Sequence, residues 1–317
     1  MNFINLKYFL VVAQEMSFTK AAEKLYLSQQ SLSGHIKRLE AECGTPLFER
    51  SPKLRLTYAG ICVVRHAKQI IDLESQMSLQ LADIAGLRRG HLSIGTSHTR
   101  GRIFLPQVLP AYIQRYPTIE LITHNGISDE LEQLLLDGDL DLLVGFSPFK
   151  STCIETVSIL DEQLCLVVPV NIMESAFPNP KSAAVYFSQN GADISAFAAL
   201  PFIMVKQGRI RNMIDRYLAK HQIDPKIILE HSDLETLLEL SVRGIGLSFC
   251  FESYLRQPLF NVKDQEDSRP YVFPLLDPEL KSTLVLAYHQ KRYLSKAAKD
   301  FIALTQEIFS DVPLGPV

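Results

Sequence analysis

The residue types best suited to chemistry in this chain are polar groups arranged for recognition. Gln29, Gln30, Ser33 and Lys37 recur on one side of a short helical pattern that carries apolar residues on its other side. Amide, hydroxyl and ammonium groups at this spacing can reach base edges and phosphates in the major groove of a DNA duplex. A small helical bundle with a solvated polar face fits the same periodicity. Three cations that follow are suited to holding the duplex backbone: Arg50, Lys53 and Arg55.

A second polar segment, residues 96–99, follows a strand pattern at residues 92–95. Together with Arg100 it offers hydroxyls, backbone N–H groups and two potentially cationic side chains at the carboxyl end of a strand, which is where open α/β folds bind ligands. We expect an anion there, best a carboxylate, although the same residues would also serve as a helix cap. The candidate ligand-binding residues are Thr96, Ser97, His98, Thr99, Ser128, Phe146, Ser147, Val205 and Lys206.

Catalytic and metal-binding signatures are absent from the sequence. It contains no G-x-S-x-G elbow, P-loop, H-E-x-x-H or C-x-x-C motif, and no second His or Cys lies at ligand spacing from His98. We therefore expect no catalytic residue, no metal and no cofactor beyond a small-molecule ligand. Cys153 and Cys165 leave a redox switch as an alternative. Because Cys165 lies in an apolar strand pattern, a buried structural thiol is favoured instead.

Helices must position the first polar set, and the N-terminal pattern predicts them. The buried face of a first helix would consist of Leu6, Phe9, Leu10 and Ala13. Ser17 and Ser28 are predicted N-caps of a second and a third helix, and the third should end at Gly44. Two short helices joined by a tight turn, the second exposing polar groups, form a helix-turn-helix. Two further segments predict a two-stranded wing: residues 47–50 and 53–57, joined at Ser51-Pro52.

Five stretches at set offsets closely resemble the DNA-binding domain of LysR-type transcriptional regulators. They are residues 17–25 (SFTKAAEKL), 27–33 (LSQQSLS), 36–40 (IKRLE), 46–50 (PLFER) and Leu56-Thr57-x-Ala59-Gly60. The match runs unbroken from about Leu6 to Gly60, and it implies a winged helix-turn-helix that binds double-stranded DNA. The residues expected at the duplex are Ser28, Gln29, Gln30, Ser31, Ser33, Gly34, Lys37, Arg50, Lys53 and Arg55.

Three positions depart from the family's usual pattern. Gln30 stands where proline is usual, Gly34 where arginine is usual, and His35 where glutamine is common. Because arginine is the commonest reader of guanine, its absence removes a base or phosphate contact. Gly34 also costs the recognition helix about 1 kcal/mol relative to alanine. We therefore expect DNA binding at a non-standard half-site.

From Thr57 to about Leu87 the chain lacks proline, and apolar residues recur every seven positions. Such a stripe favours pairing with a second helix. The resemblance implies a linker helix that joins two subunits, and a long helix packed on its own domain is the alternative. We expect a homodimer, or a homotetramer formed as a dimer of dimers. The stripe consists of Val63, Ile70, Met77 and Ile84, with Ala67 and Leu81 beside it and Glu74 as an interruption.

After Gly90 strand and helix patterns alternate, which implies parallel sheets covered by helices on both faces. Looser matches resemble the family's effector domain, which is shaped like a type 2 periplasmic binding protein; they are Gly95, Leu105-Pro106, Tyr116-Pro117, Gly138-x-Leu140-Asp141 and Gly244-x-Gly246-Leu247. The predicted fold class is α+β multidomain. It comprises a winged helix-turn-helix (1–58), a linker helix (59–89) and an α/β two-lobed effector domain (90–310). Lobe I is expected at about 90–162 and 270–310, and lobe II at about 163–269. Residues 171–200, with Pro178 and Pro180, look longer and less regular than usual and receive no role.

Composition and charge narrow the remaining classes of function. Residues 1–90 hold 12 Lys and Arg against 8 Asp and Glu, a net charge of +4, and the remainder holds 20 against 27, a net of −7. A basic front end on an acidic body favours a polyanion as partner of the front end alone. The scattered cysteines, with no membrane-length apolar run and no signal-peptide pattern, predict a cytoplasmic protein that contacts no membrane.

The residues and the resemblance together predict a LysR-type DNA-binding transcriptional regulator. A small anionic effector would modulate its operator binding or promoter activation, and RNA polymerase would be a further partner. A redox-sensing regulator of the same family is one alternative. A solute-binding transport component is an alternative of a different class.

Overall fold

The computed structural model describes residues 2–51, 53–85, 90–256 and 269–310, and the chain divides into two compact units, Met1–Leu87 and Arg88–Val317. Some predicted features lie outside the described residues. They are the wing turn at Pro52, the end of the linker helix at Gly86, Arg88 and Arg89, and residues 257–268 of the expected lobe II.

The first unit contains a helix-turn-helix, a short two-stranded ribbon and one long helix. The predicted caps are confirmed, since the hydroxyls of Ser17 and Ser28 accept backbone N–H bonds and Gly44 ends the third helix in the left-handed conformation. The strands of the ribbon pair antiparallel, with Phe48 opposite Leu56. The elements are α1 (Phe3–Glu15), α2 (Phe18–Lys24), α3 (Gln29–Cys43), β1 (Phe48–Glu49), β2 (Arg55–Leu56) and α4 (Tyr58–Ile84).

One hydrophobic cluster holds the first unit together. It joins α1, α2 and α3 to the wing and to one side of α4 through Leu6, Phe9, Val12, Ala21, Ala22, Leu32, Ile36, Leu39, Leu47, Phe48 and Ala67. Gly60 lies at its tightest contact, because a Cβ at this position would collide with the backbone carbonyl oxygen of Leu47. This close approach gives a physical reason for glycine at the end of the Leu-Thr-x-Ala-Gly motif.

The apolar stripe of α4 divides into two halves with different surroundings. Val63 and Ile70 are half-buried against the first unit's own cluster, and Ala67 is fully buried in it. Leu73, Met77, Leu81 and Ile84 form the second half and are exposed, Ile84 to 76%. The first half therefore packs on its own domain, and only the second half remains open to a partner helix.

The second unit is a mixed α/β structure. Residues 171–200, which looked irregular in the sequence, form two regular helices and a 3-10 turn at residues 194–197. The elements are β3 (Gly90–Thr96), α5 (His98–Arg115), β4 (Ile119–Asn125), α6 (Ser128–Asp137), β5 (Leu142–Phe146), β6 (Ile154–Val168), α7 (Val170–Ala176), α8 (Pro180–Asn190), β7 (Pro201–Val205), α9 (Arg209–His221), β8 (Lys226–His231), α10 (Leu234–Val242), β9 (Ser248–Phe251), β10 (Tyr271–Pro274), β11 (Lys281–His289) and α11 (Lys296–Ser310).

The sheets are mixed, so the expectation of purely parallel sheets is wrong. Strands β4, β3 and β5 are parallel neighbours, but β6 and β11 run antiparallel between β5 and β10, in the order β10-β6-β11-β5-β3-β4, with β9 also on β6. A separate parallel pair joins β7 to β8. Within the described chain, β4 and β8 each pair on one side only. Every residue of β8 is exposed, so helices do not cover both faces everywhere.

Two hydrophobic clusters define the two lobes of this unit. One contains Leu92, Phe104, Leu142, Leu284 and Phe301, and the other runs from Leu164 to Leu280. Strand β6 crosses from one lobe to the other, because its first half pairs with β11 and its second half with β9 and β10. The expected return near residue 270 is too early. Phe273, Leu275 and Leu280 still belong to the second lobe, since β10 is built into its sheet.

Candidate nucleic-acid interface and ligand cleft

Helix α3 separates its apolar and polar side chains onto opposite faces. Leu32, Ile36 and Leu39 are buried in the cluster. Of the residues predicted to contact a duplex, Ser33 and Gly34 are half-buried, whereas Ser28, Gln29, Gln30, Ser31, Lys37, Arg50, Lys53 and Arg55 are exposed. The Ser28 hydroxyl also accepts the N–H of Ser31 at 3.1 Å, which orders the first turn of α3. The exposed face thus presents uncharged polar groups and Lys37, with its first turn ordered by the Ser28 cap.

Glu40 anchors the wing to α3, a role that the sequence reasoning missed. Its Oε1 accepts the backbone N–H groups of Leu47 at 2.9 Å and Phe48 at 3.3 Å. Arg50, predicted to hold a DNA backbone, donates to Glu40 Oε2 at 3.1 Å, and its guanidinium lies 5.4 Å from the centre of the Phe18 ring. Arg50 therefore positions the wing against the helices, although its side chain stays partly exposed.

The two departures at Gly34 and His35 have different surroundings. A Cβ added at Gly34 would meet no described atom within 4 Å, so the position is open and a side chain is sterically allowed. His35 turns inward, where its Nδ1 lies 2.8 Å from Oδ1 of the buried Asn5 and its ring meets Tyr8 edge-on at 4.9 Å. His35 therefore joins α3 to α1, whereas Gly34 leaves a gap on the polar face.

In the second unit, the carboxyl ends of three parallel strands bring together the predicted ligand-binding segments at residues 96–99, 128 and 146–147, whereas Val205 and Lys206 lie at the end of β7 in the other lobe. The turn after β3 lies beside the turn after β4, as the bond from Gly126 N to Thr96 O shows, and β5 ends at Phe146 on the other side of β3. Ser97 caps α5, and His98 and Thr99 lie in the first turn of that helix.

The predicted ligand-binding residues differ in how accessible they are. Thr96 and Val205 are buried, and the Thr96 hydroxyl donates to the Ser97 carbonyl. The side chains of Thr96 and Val205 therefore contribute to packing and are not accessible to a ligand. The half-buried group is Ser97, Thr99, Phe146 and Ser147, and the exposed group is His98, Ser128 and Lys206.

Arg100 belongs to the polar segment identified from the sequence but was not among the candidate ligand-binding residues, and it is the most buried cation of the cleft. Arg100 is only 3% exposed, and its Nη1 donates to Glu162 Oε1 at 2.6 Å and to Ser253 Oγ at 3.0 Å. Its guanidinium lies 4.5 Å from the centre of the Phe146 ring. Nη2 is buried and has no hydrogen-bond partner in the part of the chain that is described. A buried guanidinium with a donor to spare suits an anion.

A second arginine reaches the same ring from the other lobe. Arg209, at the start of α9, donates from Nη1 to the Phe146 carbonyl at 3.1 Å and from Nη2 to the Ser147 carbonyl. Its guanidinium lies 5.7 Å from the Phe146 ring centre. Its buried Nε has no partner among the described residues, and burial lowers the pKa of Arg209. A cation at a helix N-terminus, such as Arg209, is unfavourable because of the helix dipole. Its position at the predicted start of a helix could therefore have marked it as a functional residue.

A small cavity lies beside Arg100. The cavity beside Arg100, lined also by Glu162 and Ser253, measures about 20 Å³, on the order of one water molecule. Arg102 of α5 pairs with Glu235 of α10, which adds a further link between the lobes. A larger ligand bound at Arg100 would need a wider space than this cavity offers.

Comparisons with known proteins agree in both units. Residues 3–61 match a family model described as the bacterial regulatory helix-turn-helix protein, lysR family, and residues 85–310 match the LysR substrate binding domain. The second match alone covers more than half of the chain. The chain belongs to the LysR family. It is a transcriptional regulator with a helix-turn-helix DNA-binding domain and an effector-binding domain.

Relatives of this LysR-family regulator include CysL of Bacillus subtilis, 30% identical over 81% of this chain and 82% of the relative. A probable RuBisCO transcriptional regulator of Gracilaria tenuistipitata var. liui is 29% identical over 93% of each chain. Among solved structures, a full-length OxyR variant from Pseudomonas aeruginosa has a TM-score of 0.69, with 22% identity over 100% of this chain and 97% of the other. CbnR has a TM-score of 0.60, with 22% identity over 98% and 100%.

The cysteines of this regulator do not form the pair considered from the sequence. Cys153 precedes β6 and Cys165 lies in its second half, so a strand rise of about 3.3 Å per residue separates them widely. Cys165 instead lies opposite Cys250 of β9, and both thiols are buried. Burial raises the pKa of Cys165 to about 12 and also raises the pKa of Cys250. Both therefore remain protonated thiols of low reactivity.

The described residues hold no group of three or more His, Cys, Asp or Glu side chains that could bind a metal ion. No helix in the described ranges is both long and apolar enough to cross a membrane.

Proposed function

We propose that this LysR-family regulator reads operator DNA with the polar face of α3, and that an anionic small molecule between the two lobes changes how it does so. One observation carries the second part of the proposal. Arg100 and Arg209 come from different lobes, lie against the same Phe146 ring, and each has one buried nitrogen without a described partner.

The exposed face of α3 supports the DNA-reading role. Gln29 lies in its first turn, Ser33 one turn later and Lys37 one turn after that, so a helix lying in a major groove would present all three. The amide and hydroxyl groups suit base edges, while Lys37 suits a phosphate. Arg50 would act on DNA indirectly, through the wing that it holds on Glu40.

An anion would act by replacing the Glu162 carboxylate as a partner of Arg100. The carboxylate of Glu162 already neutralises Arg100, so an incoming carboxylate or phosphate could take the free Nη2 and compete for Nη1. Arg209 would close on the same ligand from the second lobe. Such a ligand shifts the lobes only as far as it binds one arrangement more tightly than the other. Thr99, Ser128 and Lys206 remain proposed outer contacts.

Self-association is part of the proposal, because several apolar surfaces of the described chain are open. The second half of α4 exposes Leu73, Met77, Leu81 and Ile84, and the unpaired edge of β8 exposes Ile227 and Ile228. Edge strands and apolar helix stripes commonly become subunit interfaces. A solved structure shows the related CbnR complexed with its target DNA. A two-fold dimer would present two α3 helices to two half-sites, and control of transcription would involve RNA polymerase.

Calorimetric titration with succinate, citrate and inorganic phosphate tests the cleft. Arg100→Met should abolish anion binding seen with the wild type. Arg115→Met, a matched change of an exposed arginine on the same helix, should leave binding unchanged. Equal anion affinity in Arg100→Met and in the wild type would remove Arg100 from the site, and Thr99→Val tests the outer contact in the same way.

A further inference from the structure

The turn between α2 and α3 places a tyrosine where the backbone favours glycine. Helix α2 ends with two bonds, from Tyr26 N to Glu23 O at 3.1 Å and from Leu27 N to Ala22 O at 2.9 Å. This bond pair is the Schellman helix end, in which the residue between the bonds adopts the left-handed conformation. Tyr26 accordingly has φ +53°.

Other helices of the same chain show which residue this position prefers. The same bond pair ends α3 around Gly44, with φ +68°, and α10 around Gly244, with φ +85°. Helix α9 ends in the same way with Gln222, with φ +55°. A left-handed conformation is disfavoured for side chains with a Cβ, and Gly or Asn usually accepts it. Tyr26 is therefore a costly choice for the fold.

Packing does not offset this cost, because the Tyr26 side chain is 96% exposed. Tyr26 instead lies next to the start of α3, the helix proposed to read DNA. Tyr26 is two residues before Ser28, the N-cap of α3, so its ring stands at the amino end of the polar face. In helix-turn-helix complexes this end approaches the base edges, and the chain before it lies along the sugar–phosphate backbone.

We propose that Tyr26 is a DNA-contacting residue that binds the sugar–phosphate backbone at the edge of the major groove. Its hydroxyl donates a hydrogen bond to a phosphate oxygen, and its ring packs on a deoxyribose. The unfavourable backbone conformation is kept for this contact, as strain often is at functional positions. The inference rests on the proposed DNA-reading role of α3. Because the contact is uncharged, it adds affinity on any sequence without changing the salt dependence of binding.

The test compares full-length Tyr26→Gly, Tyr26→Phe and wild type by fluorescence anisotropy on a selected operator and on a scrambled duplex. Tyr26→Gly should weaken binding to both duplexes by about 10-fold, and Tyr26→Phe by about 5-fold, with the salt slope unchanged. Amide exchange at Leu27 should stay as slow as in the wild type or become slower. The matched control Gln222→Gly relieves the same backbone conformation in the other unit and should leave DNA affinity unchanged.

The outcomes separate this inference from the proposed function. Wild-type protein that binds neither duplex would overturn the DNA-reading role and the Tyr26 contact together, whereas binding without sequence preference would overturn the DNA-reading role alone. A wild type that selects an operator, with Tyr26→Gly binding equally well, would overturn the Tyr26 contact alone. Wild-type affinity in Tyr26→Phe with loss in Tyr26→Gly would overturn the phosphate bond and retain the ring contact. Faster exchange at Leu27 in Tyr26→Gly would overturn the claim that the backbone is retained for DNA.

Discussion

The polar face of α3 and the cleft between the two lobes both carry polar recognition groups. The two surfaces differ in how far those groups are exposed to solvent and paired with other side chains. On α3 the amides, hydroxyls and Lys37 stand in water, ready for a partner that brings its own charges. In the cleft Arg100 is buried and already neutralised by Glu162, which is 2% exposed. The first surface can bind without rearrangement, whereas the second must give up an internal ion pair.

The largest expected effect comes from breaking the internal ion pair. Glu162→Gln leaves Arg100 charged and buried, which should lower the free energy of unfolding of the second unit by about 3–5 kcal/mol, as removal of one partner of a buried pair usually does. Urea denaturation measures the loss, and succinate or phosphate should restore part of it. Arg115→Met should cost less than about 0.5 kcal/mol, because its ion pair is exposed. A Glu162→Gln variant as stable as the wild type would contradict the claim that Glu162 neutralises the buried Arg100.

Two glycines of the first unit should respond in opposite directions. Gly60→Ala should destabilise by about 1–3 kcal/mol, because the new methyl meets the Leu47 carbonyl oxygen. Gly34→Ala should stabilise by about 1 kcal/mol, because α3 gains a better helix former at an open position. Thermal unfolding of both variants checks the pair. A destabilised Gly34→Ala variant would contradict the conclusion that the position of Gly34 is sterically open.

The charge of Lys37 on the polar face of α3 should contribute to the salt dependence of DNA affinity. Lys37→Met should reduce the slope of log affinity against log salt by about 1 and weaken binding equally on specific and scrambled duplexes. Arg100→Met should leave that slope unchanged in the absence of ligand, since Arg100 is buried in the other unit. Anisotropy titrations at several salt concentrations measure both. An unchanged slope in Lys37→Met would remove the phosphate contact.

The smallest effect is expected from oxidation. With a pKa of about 12, Cys165 holds only about one thiolate in ten thousand at pH 8, and Cys250 is raised in the same direction. Maleimide should therefore label the exposed Cys62 and spare both buried thiols, and peroxide should leave operator affinity unchanged. Labelling of Cys165 in the native protein would reopen the redox alternative.

Local patterns predicted the first unit well, because its polar face depends on residues a few positions apart. The caps at Ser17 and Ser28 and the end at Gly44 could all be read from short-range chemistry. The cleft depends instead on pairs distant in sequence, such as Arg100 with Glu162 at a separation of 62 residues and with Ser253 at 153. No spacing rule links such residues, so the internal neutralisation of Arg100 could not be predicted.

Two elements of the second unit show further limits of pattern reading. Pro178 and Pro180 suggested an irregular stretch, yet Pro180 begins α8, where a missing N–H costs nothing. The fifteen-residue strand β6 serves both lobes, and its antiparallel partners β10 and β11 come from more than a hundred residues later. Alternating strand and helix patterns identified the α/β class, but they could not show these pairings.

Selection from a random duplex library most directly tests the claim that the exposed face of α3 reads DNA sequence. The wild type should enrich two related half-sites that differ from the usual family consensus, since Gly34 leaves open the position where the family usually has arginine. Gln29→Ala and Ser33→Ala should each change the enriched bases while leaving the fold intact. Wild-type protein that enriches no sequence at any salt concentration would contradict the account. Enrichment of the ordinary family consensus would contradict the role given to Gly34.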